Sequence, residues 1–233
     1  MIRLENITKE YDNRIILDNV SCEFSDNRIS AIIAPNGEGK TTLLNIIAGI
    51  TAPDYGRVTK EGHPRHTDVD MIQAGDKNLY FKNTVKENLF YFCVIRGMSA
   101  KQAECALEEW KHDFPLYESV KSITVEKLSY GQKRLVALFS SVLSGVSCLL
   151  LDEITEGLDS EHVNLVKRLL LKSKNGKTII IASHDYDFIT DVSDDIYFLH
   201  AGKLEQHPQC LDLKSFDRIY AEYYPSKKEQ EKC

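Results

Sequence analysis

Apolar positions change their period along the chain. Through residues 1–34 they alternate or come in short bursts, the period of a strand. Ile2 and Leu4 alternate with Arg3 and Glu5. Ile15-Ile16-Leu17 and Val20-Ser21-Cys22-Glu23-Phe24 follow, broken by Asp12-Asn13-Arg14 and Asp26-Asn27-Arg28. Ser30 to Ala34 is an apolar run of the kind buried on both faces of a sheet. It ends in a Gly-bearing turn. Leu43-Leu44-Asn45-Ile46-Ile47 then follows a helical pattern that stops at Gly49. Pro53-Asp54-Tyr55-Gly56 signals a turn, and Arg57-Val58-Thr59 returns as a strand.

From about residue 75 to 145 the period becomes helical. Thr84-Val85-Lys86-Glu87 opens one helix as a capping box, and Ser99-Ala100-Lys101-Gln102 opens another. A third follows Ser129 and carries Leu135, Leu138, Phe139 and Val142 on one face. Strands and helices then alternate again. Cys148-Leu149-Leu150-Leu151 and Thr178-Ile179-Ile180-Ile181-Ala182 read as buried strands. Between them Asp159-Ser160-Glu161 starts a helix with Val163, Val166, Leu169 and Leu170 inward. Ile196 to Glu205 reads as a hairpin turning at Ala201-Gly202, and a last amphipathic segment runs to about Tyr224.

This order predicts an α/β fold: a mostly parallel sheet flanked by helices, an antiparallel β edge and an inserted helical lobe. The expected organisation is one domain over 1–225, with a core of 1–74 and 146–225, a lobe of about 75–145 and a charged tail over 226–233.

Size and charge narrow the partners. The chain has 233 residues, of which 27% are charged, and a net charge of −6. That balance argues against non-specific nucleic-acid binding and against a polybasic membrane anchor. No apolar run approaches the ~20 residues of a membrane-spanning helix. Met1-Ile2-Arg3-Leu4-Glu5 lacks the apolar core of a signal peptide. Cys22, Cys93, Cys105, Cys148, Cys210 and Cys233 form no metal-ligand spacing and read as reduced thiols.

Chemistry concentrates at Ala34-Pro35-Asn36-Gly37-Glu38-Gly39-Lys40-Thr41-Thr42, where a strand's carboxyl end meets a helix. Gly37 and Gly39 let successive N–H groups turn toward an anion, and the helix N-terminus adds its dipole. Lys40 can reach the β- and γ-phosphates, and the Thr41 hydroxyl can ligate Mg²⁺. These features mark a P-loop NTPase core. Such a site needs an acidic partner for the metal at the end of a buried strand. Leu149-Leu150-Leu151-Asp152-Glu153 supplies it: Asp152 holds Mg²⁺ and Glu153 polarises the attacking water.

Together with Leu128-Ser129-Tyr130-Gly131-Gln132, these motifs make the chain resemble the nucleotide-binding subunit of an ATP-binding cassette (ABC) transporter. The resemblance runs from Tyr11 to the hairpin near Lys203. It implies that Ser129, Gly131 and Gln132 form a signature that takes the γ-phosphate of ATP bound to a second ABC subunit, in a homo- or heterodimer. It implies that Tyr11 stacks on adenine, that Gln73 reaches Mg²⁺ or the water, that His184 contacts the γ-phosphate, and that Asp159 contacts the partner cassette while capping its own helix. It further implies integral-membrane permease subunits, docked near residues 75–92, and a cytoplasmic position on the inner face of the cell membrane. Residues 75–89 look most like exporter-type cassettes. The alternative is a soluble ABC ATPase acting on DNA or ribosomes, which usually has a long coiled coil or paired cassettes.

Three positions depart from the family pattern. Ala34 replaces the first Gly of the phosphate loop, and at a strand's end it needs no left-handed backbone. Ile154 stands where Pro is frequent. Tyr130 replaces a Gly in the signature and is expected to add bulk near the γ-phosphate. None removes a reactive group, so an active ATPase is expected.

Overall fold

The apolar runs become the strands of two sheets. The computed structural model describes residues 1–61, 69–73, 79–207 and 213–225. Its strands are β1 (Ile2–Tyr11), β2 (Arg14–Phe24), β3 (Arg28–Ile33), β4 (Tyr55–Lys60), β5 (Val69–Ile72), β6 (Cys148–Asp152), β7 (Thr178–Ser183), β8 (Asp195–His200) and β9 (Lys203–His207). Its helices are α1 (Lys40–Ala48), α2 (Val85–Ile95), α3 (Ala100–Trp110), α4 (Leu116–Val120), α5 (Tyr130–Leu143), α6 (Ser160–Ser173), α7 (Tyr186–Val192) and α8 (Leu213–Tyr223).

The larger sheet has the order β5-β6-β7-β3-β8-β9. It is parallel except for β9, which pairs antiparallel with β8. Successive residues of its central strands point into opposite hydrophobic clusters. Ile29, Ala31 and Ile33 of β3 join one cluster, whereas Ile32 and Ala34 join the other. In β6, Leu149 and Leu151 face one way and Cys148 and Leu150 the other. Burial on both faces is why these strands read as unbroken apolar runs. Each such Leu or Ile side chain contributes roughly 1.5–3 kcal/mol.

The antiparallel part is more than an edge. β2, β1 and β4 form a separate three-stranded sheet, which packs Ile2, Leu4, Ile7 and Leu17 against α1. Pairings such as Ile2 with Lys60 are nonlocal and leave no periodic trace.

Helices α2, α3 and α5 pack together, Tyr117 and Val120 of α4 join the same hydrophobic cluster, and the Phe114 and Phe139 rings stack at 4.2 Å. Thr84, Ser99 and Ser129 each close a capping box at the start of α2, α3 and α5. The pattern did not predict α4 and α7, which are too short to display a 3.6-residue period. Residues 74–78 and 226–233, which hold the expected start of the lobe and the charged tail, lie outside the described residues. No helix among the described residues is long and apolar enough to cross a membrane.

Candidate functional site

The loop between β3 and α1 borders a cleft of ≈ 360 Å³. Tyr11, Ile16, Pro35, Asn36, Gly37, Gly39, Lys40, Thr41, Thr42, Asp152, Glu153 and Glu156 line it. Gly39 is the position that only glycine can fill. It has φ 102°, and an added Cβ would lie 2.7 Å from Ile16 Cγ2. Ala34 is fully buried and keeps a negative φ, so the departure from Gly carries no backbone strain.

Lys40, 6% exposed, turns back over its own loop. Its Nζ donates to Ala34 O at 2.7 Å and Pro35 O at 3.3 Å. It also lies 3.1 Å from Glu153 Oε1, an ion pair whose angle falls short of a hydrogen bond. Glu153 Oε2 lies 3.0 Å from His184 Nδ1. The three side chains form one relay from the start of α1 to the residues that follow β6 and β7. Glu153 itself has φ 48°, a left-handed conformation that costs a glutamate ~1–2 kcal/mol. Its N–H donates to Ala182 O at 2.9 Å, which holds it there.

Asp152 sits beside this relay, at the end of β6. Its Oδ2 accepts from Thr41 Oγ1 at 2.7 Å. Its Oδ1 is buried and has no hydrogen-bond partner. Burial pushes the Asp152 carboxyl upward; the Thr41 hydroxyl opposes the rise and neighbouring Glu153 adds to it. A buried carboxylate oxygen without a donor is the kind of group that a cation satisfies. One carboxylate and one hydroxyl suit Mg²⁺, which keeps most of its water ligands.

The remaining expected residues are placed as follows. Tyr11 is 45% exposed at the mouth of the cleft, with Lys9 Nζ 5.1 Å from its ring centroid. Gln73 is not brought to Asp152 or Glu153, because its Nε2 donates to Asn45 Oδ1 at 2.9 Å. Ser129, Gly131, Gln132 and Asp159 do not line the cleft. Ser129 Oγ accepts from Gln132 N at 3.2 Å, and Gln132 Oε1 accepts from Ser129 N at 3.1 Å, so both cap α5. Asp159 caps α6 by accepting from His162 N at 2.9 Å.

A family model described as ABC transporter matches residues 17–156. The chain belongs to the ABC transporter family. The cassette is 32% identical over 207 residues to the tungstate uptake system ATP-binding protein TupC of Peptoclostridium acidaminophilum, covering 87% of this chain and 96% of that one. It is 30% identical over 214 residues to the Nod factor export ATP-binding protein I of Mesorhizobium japonicum, covering 88% and 63%. It is 28% identical over 222 residues to human ATP-binding cassette sub-family A member 2, covering 92% of this chain but only 9% of that protein's length. Relatives named for uptake and for export therefore match alike. Two solved structures share the fold. One is cbiO1 from Clostridium perfringens, at TM-score 0.79 and 22% identity, covering 100% of this chain and 98% of the other. The other is a dimeric bacterial ABC transporter cassette, at TM-score 0.76 and 24% identity, covering 91% and 100%.

Within the cassette, Tyr130 does not line its own chain's cleft. Its ring lies against Gly157, where an added Cβ would be 3.2 Å from Tyr130 Cε1, and its hydroxyl accepts from Arg134 Nη1 at 2.9 Å. The sequence reading missed Arg134, Asn45, Ile16 and Glu156. Arg134 had no signal, because it follows the polar Gln132 and Lys133 at the start of its helix. Asn45 had none, because its partner Gln73 is distant in sequence.

Proposed function

We propose that the chain is the ATP-hydrolysing subunit of an ABC transporter, driving separate membrane subunits by ATP-dependent pairing of two cassettes. The Lys40–Glu153–His184 relay beside the unpartnered Asp152 Oδ1 carries this reading. The triphosphate enters the loop over residues 34–42, and Lys40 exchanges its carbonyl partners for phosphate oxygens. Thr41 and Asp152 would hold Mg²⁺, which when bound would supply positive charge against the triphosphate. Glu153 accepts the proton of a water whose oxygen attacks the γ-phosphorus, while the bond to the ADP oxygen breaks. His184 steadies Glu153 and reaches the γ-phosphate. Gln73 must leave Asn45 to reach the metal or the water. Tyr11 offers a face to adenine.

Ser129, Gly131 and Gln132 do not line this cleft, which supports their use on nucleotide held by a second cassette. Asp159 adds a contact to that partner. ATP joins both halves and hydrolysis releases them, because only the γ-phosphate is bound by both. The family and the absence, among the described residues, of a helix able to span a membrane support separate permease subunits docked beside α2. The cassette then lies on the cytoplasmic face of the membrane.

Glu153→Gln tests the reading. It keeps the shape and removes the base, so phosphate release falls ~10²–10⁴-fold while ATP binding persists. Undiminished release by the variant would remove Glu153 from the reaction.

A further inference from the structure

Arg134 stands on α5, one turn beyond Ser129, and is 2% exposed. No carboxylate lies within ion-pair distance of it among the described residues. Its guanidinium is instead spent on backbone. Nη2 donates to Glu153 O at 2.5 Å and Asp152 O at 3.2 Å, and Nη1 donates to Glu156 O at 3.1 Å and the Tyr130 hydroxyl at 2.9 Å. Nε is buried without a partner. A buried guanidinium satisfied by three carbonyls and one hydroxyl, with no carboxylate beside it, is a costly arrangement. Only a planar fork can reach the carbonyls of one turn at several points; an ammonium offers a single centre.

We propose that Arg134 is a positioning residue for Glu153, tying the carbonyl side of that residue to the helix that carries Ser129. Glu153 is held in its left-handed conformation from both sides. Its N–H is fixed by Ala182 O of β7, and its C=O by Arg134 of α5. A left-handed glutamate persists only when its surroundings over-determine it. Tyr130 completes the clamp, with its hydroxyl on Arg134 and its ring filling the space that Gly157 leaves open. A displacement of the first turn of α5 is thereby passed to the backbone of Glu153. The inference rests on the hydrolase reading and adds a route by which engagement of Ser129 with the partner's nucleotide is felt at this chain's own base.

The test is steady-state phosphate release and nucleotide binding with the purified full chain, Arg134→Lys and Tyr130→Phe. Arg134→Lys is expected to lower kcat by at least ~10-fold with KM for ATP within ~2-fold of wild type, and Tyr130→Phe to move kcat alone by less. A purely structural arginine would lower nucleotide affinity and kcat together. That result, or an unchanged kcat, overturns the inference. If Arg134→Lys does not fold, the same split in Tyr130→Phe decides. Absence of phosphate release from the wild-type chain instead overturns the hydrolase reading, and this inference with it.

Discussion

At the scale of single residues, identity was easier to read than posture. Lys40, Thr41, Asp152 and Glu153 were legible because their chemistry demands those side chains at the ends of buried strands. The left-handed backbone of Glu153 was not, since it is imposed by Ala182 and Arg134 from distant segments. Nor was the grip of Asn45 on Gln73. Lys177 shows the same dependence on surroundings and gives a prediction in pH. Its Nζ donates to Val146 O at 2.6 Å. Burial, aided by the charge of Arg96, pushes it down from 10.5 to about 8. Below about pH 8 the ammonium is charged in both folded and unfolded chains, and its desolvation costs stability. Above that pH the folded chain releases the proton first, so the cost is relieved until the unfolded chain also titrates near 10.5. Thermal melts of wild type and Lys177→Met should therefore show a difference that is flat below about pH 8. It should shift in favour of wild type between about 8 and 10.5. A pH-independent difference would contradict a lowered value.

At the scale of elements, the starts of helices carried the clearest signals. The three capping boxes are local in sequence and form as the spacing predicts, at Thr84 with Glu87, Ser99 with Gln102 and Ser129 with Gln132. For α2, Thr84 Oγ1 accepts from Glu87 N at 3.2 Å while Glu87 Oε2 accepts from Thr84 N at 2.7 Å. The backbone bond also holds the Glu87 carboxyl below the usual carboxylate range. Thr84→Ala should cost about 1 kcal/mol, which calorimetry would read as a fall in Tm of ~2–4 °C for a chain of this size. Strand partnership was the harder part. The antiparallel edge expected is present in β8–β9, but that β1, β2 and β4 form a sheet of their own was not legible, because their pairing is nonlocal and packs against α1.

At the scale of the whole molecule, Ser129, Gly131 and Gln132 do not line the cleft, which supports a proposed reaction that needs two chains. Glu153→Gln with ATP and Mg²⁺ should elute as a dimer on gel filtration, and as a monomer with ADP. A monomer under both conditions would contradict the paired reading. No feature within one chain's sequence states that its halves are completed elsewhere; the resemblance supplied that expectation.

The folded-back Lys40 has a consequence for how such a molecule meets its substrate. Its ammonium already holds two carbonyl oxygens and a carboxylate. On the proposed reading, nucleotide entry is a displacement reaction, in which an external anion competes with oxygens the chain supplies itself. Measured affinity is then a difference between two ligand sets. On the proposed reading, loosening those internal contacts should tighten ATP binding without touching any atom of the nucleotide.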